Sequence, residues 1–278
     1  MDAILIMNAI IMGIVEGLTE FLPISSTGHL ILTAKLLHFL DNEKQEVFEI
    51  FIQMGAMLAV VWEYRVKIFT SLLGAAKPGL ERNLFLNVGI AFIPAAFIGF
   101  FLSDAIKTYL FNPVAVAAAF IVGGVIILWA EKRAQLSTHV ARVADMDDLG
   151  YMDAFKIGLC QCVALIPGTS RSGATIIGGL FLGLSRKAAT EFSFFLAIPT
   201  LSAASLYSLY KARHTLDVSD AGVFAIGFVA AMVSAFIAVR ALLKFITTHT
   251  FVVFAWYRIA FGLLILVTVY SGTINWSH

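Results

Sequence analysis

Charge is what this sequence has least of. Only 13% of its 278 residues are Asp, Glu, Lys or Arg, about half the share of a soluble domain, and 60% are hydrophobic. A water-soluble globular fold is therefore excluded, and a single membrane domain over residues 1–278 is the expectation. The net charge of +1 leaves no basic stripe for nucleic acid, so no nucleic-acid partner is expected. Cysteine is equally scarce. Cys160 and Cys162 stand two apart in an apolar segment, a spacing that suits neither a disulfide nor a four-ligand metal site, and they read as packing residues. The amino-terminal run MDAILIMNAIIMG has neither the basic start nor the small-residue cleavage site of a signal peptide, so it is expected to belong to the fold.

What remains is apolar length. Six segments approach the roughly 20 residues a helix needs to cross a bilayer: 46–63, 84–102, 113–130, 190–210, 220–240 and 251–271. Two further apolar regions, 3–40 and 153–184, break in the middle at FLPISSTGH and LIPGTSRSGAT. Broken backbone at membrane depth is tolerated only where protein or a water-filled cavity covers it, so each region is expected to be a re-entrant helix pair.

Basic residues cluster in the loops around 64–83 and 131–152, then at Arg186, Lys187, Arg240 and Lys244. All are placed on the cytoplasmic side by the positive-inside rule if 153–184 enters and leaves on one side. The expectation is an all-α integral membrane protein with six transmembrane helices and two re-entrant pairs. These form an inverted-topology repeat, roughly 1–130 and 150–278, whose two polar breaks meet near the midplane.

The polar residues of the breaks carry the chemistry. Glu16 and Glu20 are four apart and share a helix face, where they can hold a divalent cation or act as a base with a tuned neighbour. Ser25, Ser26 and Thr27 follow, then His29. Ser26 and His29, three apart, outline a nucleophile and its base. A structural pair of carboxylates, helix capping by one hydroxyl and a structural histidine are the plainer readings of the same residues.

In the second break Arg171 lies between Ser170 and Ser172, with Thr175 one turn on. The planar guanidinium matches phosphate oxygens, and the helix that starts there favours the same anion. Arg171 paired to Glu16 or Glu20 is the alternative. Glu49, Gln53, Glu191 and Arg258 read as structural partners, with Glu49 and Glu191 bracing the two halves and Glu49 nearest the site. His38, His139, His214, His249 and His278 fall at loops or termini and need no function.

EGLTEFLPISSTGHL and PGTSRSGATI closely resemble the two signature stretches of bacterial undecaprenyl-diphosphate phosphatases of the bacitracin-resistance type. FEIFIQMGAMLAVVW and TEFSFFLAIP extend the likeness over essentially the whole chain. The resemblance implies removal of the terminal phosphate of undecaprenyl diphosphate, which regenerates the carrier lipid for peptidoglycan synthesis and lowers sensitivity to bacitracin. It implies Glu16, Glu20, Ser26, His29 and Arg171 as site residues and Mg2+ or Ca2+ as cofactor; the hydroxyls of the two breaks, Ser25, Thr27, Ser170, Ser172 and Thr175, are expected as substrate contacts from the phosphate cradle they form with the helix starts. It also implies an inner-membrane location with the site facing the periplasm. Ser26, His29 and a metal-bound water all remain open as the attacking group. A flippase or transporter for the same lipid is the rival reading, because broken inverted repeats are also a transporter architecture. Lipid chain length and oligomeric state are left open.

Overall fold

The computed structural model describes residues 2–40, 42–136, 141–211 and 220–274. His139, His214 and His278 lie outside them. Eleven α-helices account for most of the described residues: α1 (Ala3–Thr19), α2 (Ser26–Leu37), α3 (Asn42–Glu63), α4 (Arg65–Gly74), α5 (Leu80–Leu110), α6 (Pro113–Leu136), α7 (Tyr151–Val163), α8 (Arg171–Phe181), α9 (Arg186–Lys211), α10 (Ala221–Phe245) and α11 (Val252–Tyr270). A 3₁₀ turn at Met146–Asp148 precedes α7.

Six of these helices, α3, α5, α6, α9, α10 and α11, are long and apolar enough to cross a membrane, and they coincide with the six expected spans. Their outward faces carry exposed large apolar side chains such as Trp62, Phe97, Trp129, Val229 and Trp256. The loop expected over 64–83 holds a helix instead. Residues of α4 such as Val66, Phe69, Leu72 and Leu73 are exposed while Arg65 and Lys67 begin it, the composition of a helix lying in a membrane interface.

The two broken regions become two helix pairs, α1–α2 and α7–α8. Asp2 caps α1 by accepting from the Ile4 amide (3.2 Å), and the helix ends at Thr19 just before Pro23. α7 ends at Val163, just before Pro167, and α8 starts at Arg171. In each broken region the two helices, or the segments flanking them, are tied by a hydrogen bond. Asn8 donates to the Leu37 carbonyl (3.3 Å), and the Ser185 amide donates to the Val143 carbonyl (2.9 Å).

Lipid offers helices no hydrophobic drive to associate, so close approach through small residues takes its place. The first helix of each pair packs this way against a span from the other half of the chain. A Cβ on Gly13 of α1 would lie 2.4 Å from the Gly227 carbonyl oxygen of α10, and one on Gly158 of α7 would lie 2.5 Å from that of Ala91 on α5. α6 packs on α11 and α3 on α9, so contacts between the halves are reciprocal. The charged loops gather at one end through Lys67–Asp147 (2.7 Å), Arg240–Glu63 (2.8 Å) and Lys187–Asp145 (3.3 Å), and through Arg186 with the fully buried Glu131.

Candidate active site

The chain turns between α1 and α2, and again between α7 and α8, through one backbone device. Ser25 has φ 68° and ψ 106°, and Ser170 has φ 74° and ψ 117°, a region that L-residues rarely adopt. Each serine immediately precedes the first residue of its helix, Ser26 in one case and Arg171 in the other. Such conformations cost about 1–3 kcal/mol and persist only where the surroundings hold them.

The two turns meet. Ser172 Oγ donates to the Leu22 carbonyl (2.7 Å), tying the second break to the first. Across this junction Ser26 Oγ donates to Glu20 Oε2 at 2.6 Å. Arg171 reaches the other oxygen of the same carboxylate, Oε1, from Nε and Nη2, both at 3.4 Å. Its Nη1 donates to the Ser193 carbonyl on α9 (3.1 Å). Glu20 therefore stands between a hydroxyl and a guanidinium; Glu20 and Ser26 are buried, and the Arg171 side chain is 9% exposed.

A cavity of about 560 Å³ opens onto this triad. Glu20, Ser25, Ser26, Thr27, Ser170 and Arg171 supply its polar lining, together with Gln53 and Gln161. The apolar lining comes from Phe92, Ala95, Gly99 and Phe100 of α5 and from Leu201, Ala204 and Tyr207 of α9, with Lys211 where α9 ends. Pro94 in α5 and Pro199 in α9 each remove one helical hydrogen bond beside this lining.

The helix starts differ in one respect. Ser170 Oγ accepts from the Gly173 amide (3.0 Å), so α8 is capped by its own chain. Ser25 makes no such bond, and the first turn of α2 keeps its amides for another acceptor.

Of the expected site residues, Glu20, Ser25, Ser26, Thr27, Ser170 and Arg171 come together at the cavity. Ser172 and Thr175 do not line it. Thr175 Oγ1 is shared with the Arg171 and Ser172 carbonyls (3.0 and 3.2 Å) and with Ser193 Oγ (2.7 Å). His29 is likewise turned away. Its Nδ1 donates to the Ser25 carbonyl (2.7 Å), which leaves Nε2 to accept from the Tyr257 hydroxyl (2.6 Å), and the ring stacks on Phe261 with centroids 4.1 Å apart. With both nitrogens engaged, the imidazole has none to offer Ser26.

Glu16 is 1% exposed and does not line the cavity; its carboxylate oxygens make no hydrogen bond of good geometry, although Ser26, Glu20, Glu49 and Arg171 all lie within reach. Among the described residues no group of three or more His, Cys, Asp or Glu could by itself hold a metal ion. Glu49 accepts from Gln45 within α3 (2.8 Å), while Glu191 sits beside Lys187 near the charged end, within electrostatic reach of Tyr64 and Lys67 in the other half. Cys160 and Cys162 are free thiols, and Cys162 Sγ donates to the Gly158 carbonyl.

Reasoning from sequence missed Tyr257 and Ser193. Both lie inside spans and away from the two breaks, Tyr257 in α11 and Ser193 in the TEFSFFLAIP stretch of α9. Arg258, foreseen as structural, is buried and donates only to backbone carbonyls, those of Pro23, Ala119, Phe120 and Gly168.

A sequence model described as "Bacitracin resistance protein BacA" matches residues 9–264 of the chain. Over 273 residues the chain is 68% identical to undecaprenyl-diphosphatase 1 of Chromobacterium violaceum, covering 98% of this chain and 100% of that one. It is 64% identical to the undecaprenyl-diphosphatase of Cellvibrio japonicus over 277 residues, with both chains covered in full. The corresponding figure for undecaprenyl-diphosphatase 2 of Rhodospirillum rubrum is 58%, again with full coverage of both chains.

Proposed function

We propose that this chain, which belongs to the bacitracin resistance protein BacA family, is a membrane-embedded hydrolase that removes the terminal phosphate of undecaprenyl diphosphate. The observation that carries the site assignment is the 2.6 Å hydrogen bond from Ser26 Oγ to Glu20, with Arg171 on the other carboxylate oxygen. Lipid binding alone does not require a hydroxyl held against a buried carboxylate. That contact favours hydrolysis over transport.

In this reading the diphosphate takes the polar end of the cavity and the first isoprene units lie along α5 and α9. Ser26 Oγ attacks the terminal phosphorus as its proton passes to Glu20. The P–O bond to the bridging oxygen breaks, and undecaprenyl phosphate leaves. Arg171 and the uncapped amides of α2 face the charge that gathers on the phosphoryl oxygens, which is commonly the largest single contribution to such catalysis. Glu20 gives the Ser26 proton to the departing undecaprenyl phosphate. It then takes a proton from the water that attacks the phosphoserine and returns it to Ser26 Oγ as the P–Oγ bond breaks, and inorganic phosphate is released. His29 has no proton-transfer role here, since both nitrogens hold structural bonds.

Glu16 fits a cation. Two buried carboxylate oxygens that make no hydrogen bond of good geometry are an incomplete donor set of the kind Mg2+ or Ca2+ completes with phosphate oxygens and water. Glu16 would hold the ion together with Glu20, and the ion would neutralise part of the diphosphate charge.

The same proposal has α1–α2 and α7–α8 as re-entrant pairs in two inverted repeats, in an inner membrane. The matched Ser25 and Ser170 turns, the hydrogen bond that ties each broken region, and the reciprocal helix contacts support it. The charged loops at one end read as cytoplasmic by the positive-inside rule, which supports a site that opens toward the periplasm.

The test is phosphate release by purified protein in detergent, with saturating undecaprenyl diphosphate. Ser26→Ala is expected to lower turnover at least about 1,000-fold while substrate still binds, the scale on which nucleophile removal acts. Loss of a single hydrogen bond costs about 0.5–1.5 kcal/mol, or roughly tenfold in rate. A tenfold drop would therefore remove Ser26 as the attacking group.

A further inference from the structure

The chemistry proposed above depends on how far Ser26 stands from Arg171, and these residues are 145 positions apart on different helices. One side chain touches both of the turns that carry them. Arg258 Nη1 donates to the carbonyl of Pro23 (3.2 Å), three residues before Ser26. Its Nη2 donates to the carbonyl of Gly168 (3.0 Å), three residues before Arg171. The remaining bonds run to α6, from Nη2 to the Ala119 carbonyl (2.9 Å) and from Nε to that of Phe120 (3.3 Å). Arg258 is 1% exposed, and its guanidinium lies over the Phe120 ring at 5.3 Å.

The fold makes room for this group. A Cβ on Gly123 of α6 would fall 2.2 Å from Arg258 Nη2, so only glycine leaves the guanidinium where it is. A Cβ on Gly173, in the first turn of α8, would lie 3.5 Å from Nη1, so the group also packs beneath the start of that helix. Tyr257, the neighbouring residue on α11, reaches the first turn a second time through His29 and the Ser25 carbonyl. Four carbonyls around one planar cation form a rigid joint, because the fork fixes the angles between its bonds. Lysine has one nitrogen and cannot span the same acceptors.

We infer that Arg258 is a positioning residue for the reaction: it joins the two breaks through the Pro23 and Gly168 carbonyls and sets the spacing of Ser26 and Arg171. This rests on the site reading given above. Arg258 does not line the cavity, so it acts through the turns and not on the substrate. Misplacement of reacting groups by about 1 Å can cost about a hundredfold in rate.

The experiment measures kcat, KM and inhibition by orthovanadate for purified Arg258→Lys and Gly123→Ala, with thermal unfolding recorded alongside. Arg258→Lys is expected to lose about a hundredfold in kcat, with KM and vanadate inhibition within about twofold of the parent. Gly123→Ala keeps the arginine but displaces it, so a smaller loss, also confined to kcat, is expected. If unfolding temperature falls while kcat per folded molecule stays unchanged, Arg258 only stabilises the fold and the inference is overturned. If KM and the vanadate inhibition constant rise together, Arg258 contacts the anion directly, which also overturns it. Full turnover in Ser26→Ala would overturn the site reading and this inference with it, whereas unchanged kcat in both Arg258→Lys and Gly123→Ala overturns the inference alone.

Discussion

The break between α1 and α2 and the break between α7 and α8 share a backbone and divide the chemistry. Ser25 and Ser170 adopt the same rare conformation, with φ of 68° and 74°, and each launches a helix toward a common cavity. The first break contributes the hydroxyl and the carboxylate. The second contributes the cation. Capping differs as well: Ser170 caps its own helix, while Ser25 makes no side-chain cap to α2. A repeated turn thus supplies geometry twice, and in the proposed mechanism substitution on that shared frame separates the site into a nucleophilic half and an anion-binding half.

The largest expected effect that tests this division is Glu20→Gln. Glutamine keeps the shape, but it cannot take the Ser26 proton and no longer pairs with Arg171 as an anion. Turnover should fall about 100- to 10,000-fold, the range for a positioned general base, in the same detergent assay. Glu16→Gln should cost less and should raise the divalent-cation concentration needed for half-maximal rate. Equal, mild losses in both would return the two glutamates to a structural pair.

Arg171→Lys comes next. It keeps charge but loses the fork that spans Glu20 and the Ser193 carbonyl. A loss of about a hundredfold in kcat/KM is expected, with the protein still folded and inserted. Near-normal kinetics would mean that the second break supplies only a charge.

His29→Asn sharpens the comparison from the other side. If the imidazole only holds the Ser25 carbonyl and the Tyr257 hydroxyl, the variant should lose about tenfold, the scale of a hydrogen bond or two. A loss as deep as that of Ser26→Ala would restore His29 as base or nucleophile.

The relation of the two halves to the membrane is tested by single cysteines in a variant lacking Cys160 and Cys162. A cysteine at Asn112 should label from the periplasmic side, and cysteines at Lys77 and Thr248 only after permeabilisation. Periplasmic labelling at Thr248 would sink the inverted repeat. The loops near 138 and 215 are expected on opposite sides too, although they lie outside the described residues.

Much of this was readable before any coordinates. A bilayer imposes a length of about 20 apolar residues, so the six spans stand out at that period. Proline followed by hydroxyls and glycine interrupts an apolar run for reasons of backbone chemistry alone, so both breaks were visible as well. Glu20, Ser26 and Arg171 stood out because ionised and polar groups are costly in lipid without partners.

What could not be read is where each side chain turns. Ser26 and His29 are three residues apart, about 60° around a helix, close enough to suggest contact. Which way the imidazole goes depends on Phe120, Tyr257 and Phe261, residues that lie more than 90 positions away. Thr175 and Ser172 likewise carry the right chemistry but spend it on backbone carbonyls that only folding brings near.

The sequence by itself determined the solvent of this protein, the number of its spans, the location of its two breaks and the residue types able to bind and attack a phosphate. Those properties follow from local composition and periodicity, which are fixed along the chain. The tertiary structure alone decided that Glu20 bridges Ser26 and Arg171, that His29 faces away, and that Arg258 joins both turns. Each of these depends on contacts between residues far apart in sequence, and a buried donor takes whichever acceptor packing presents to it.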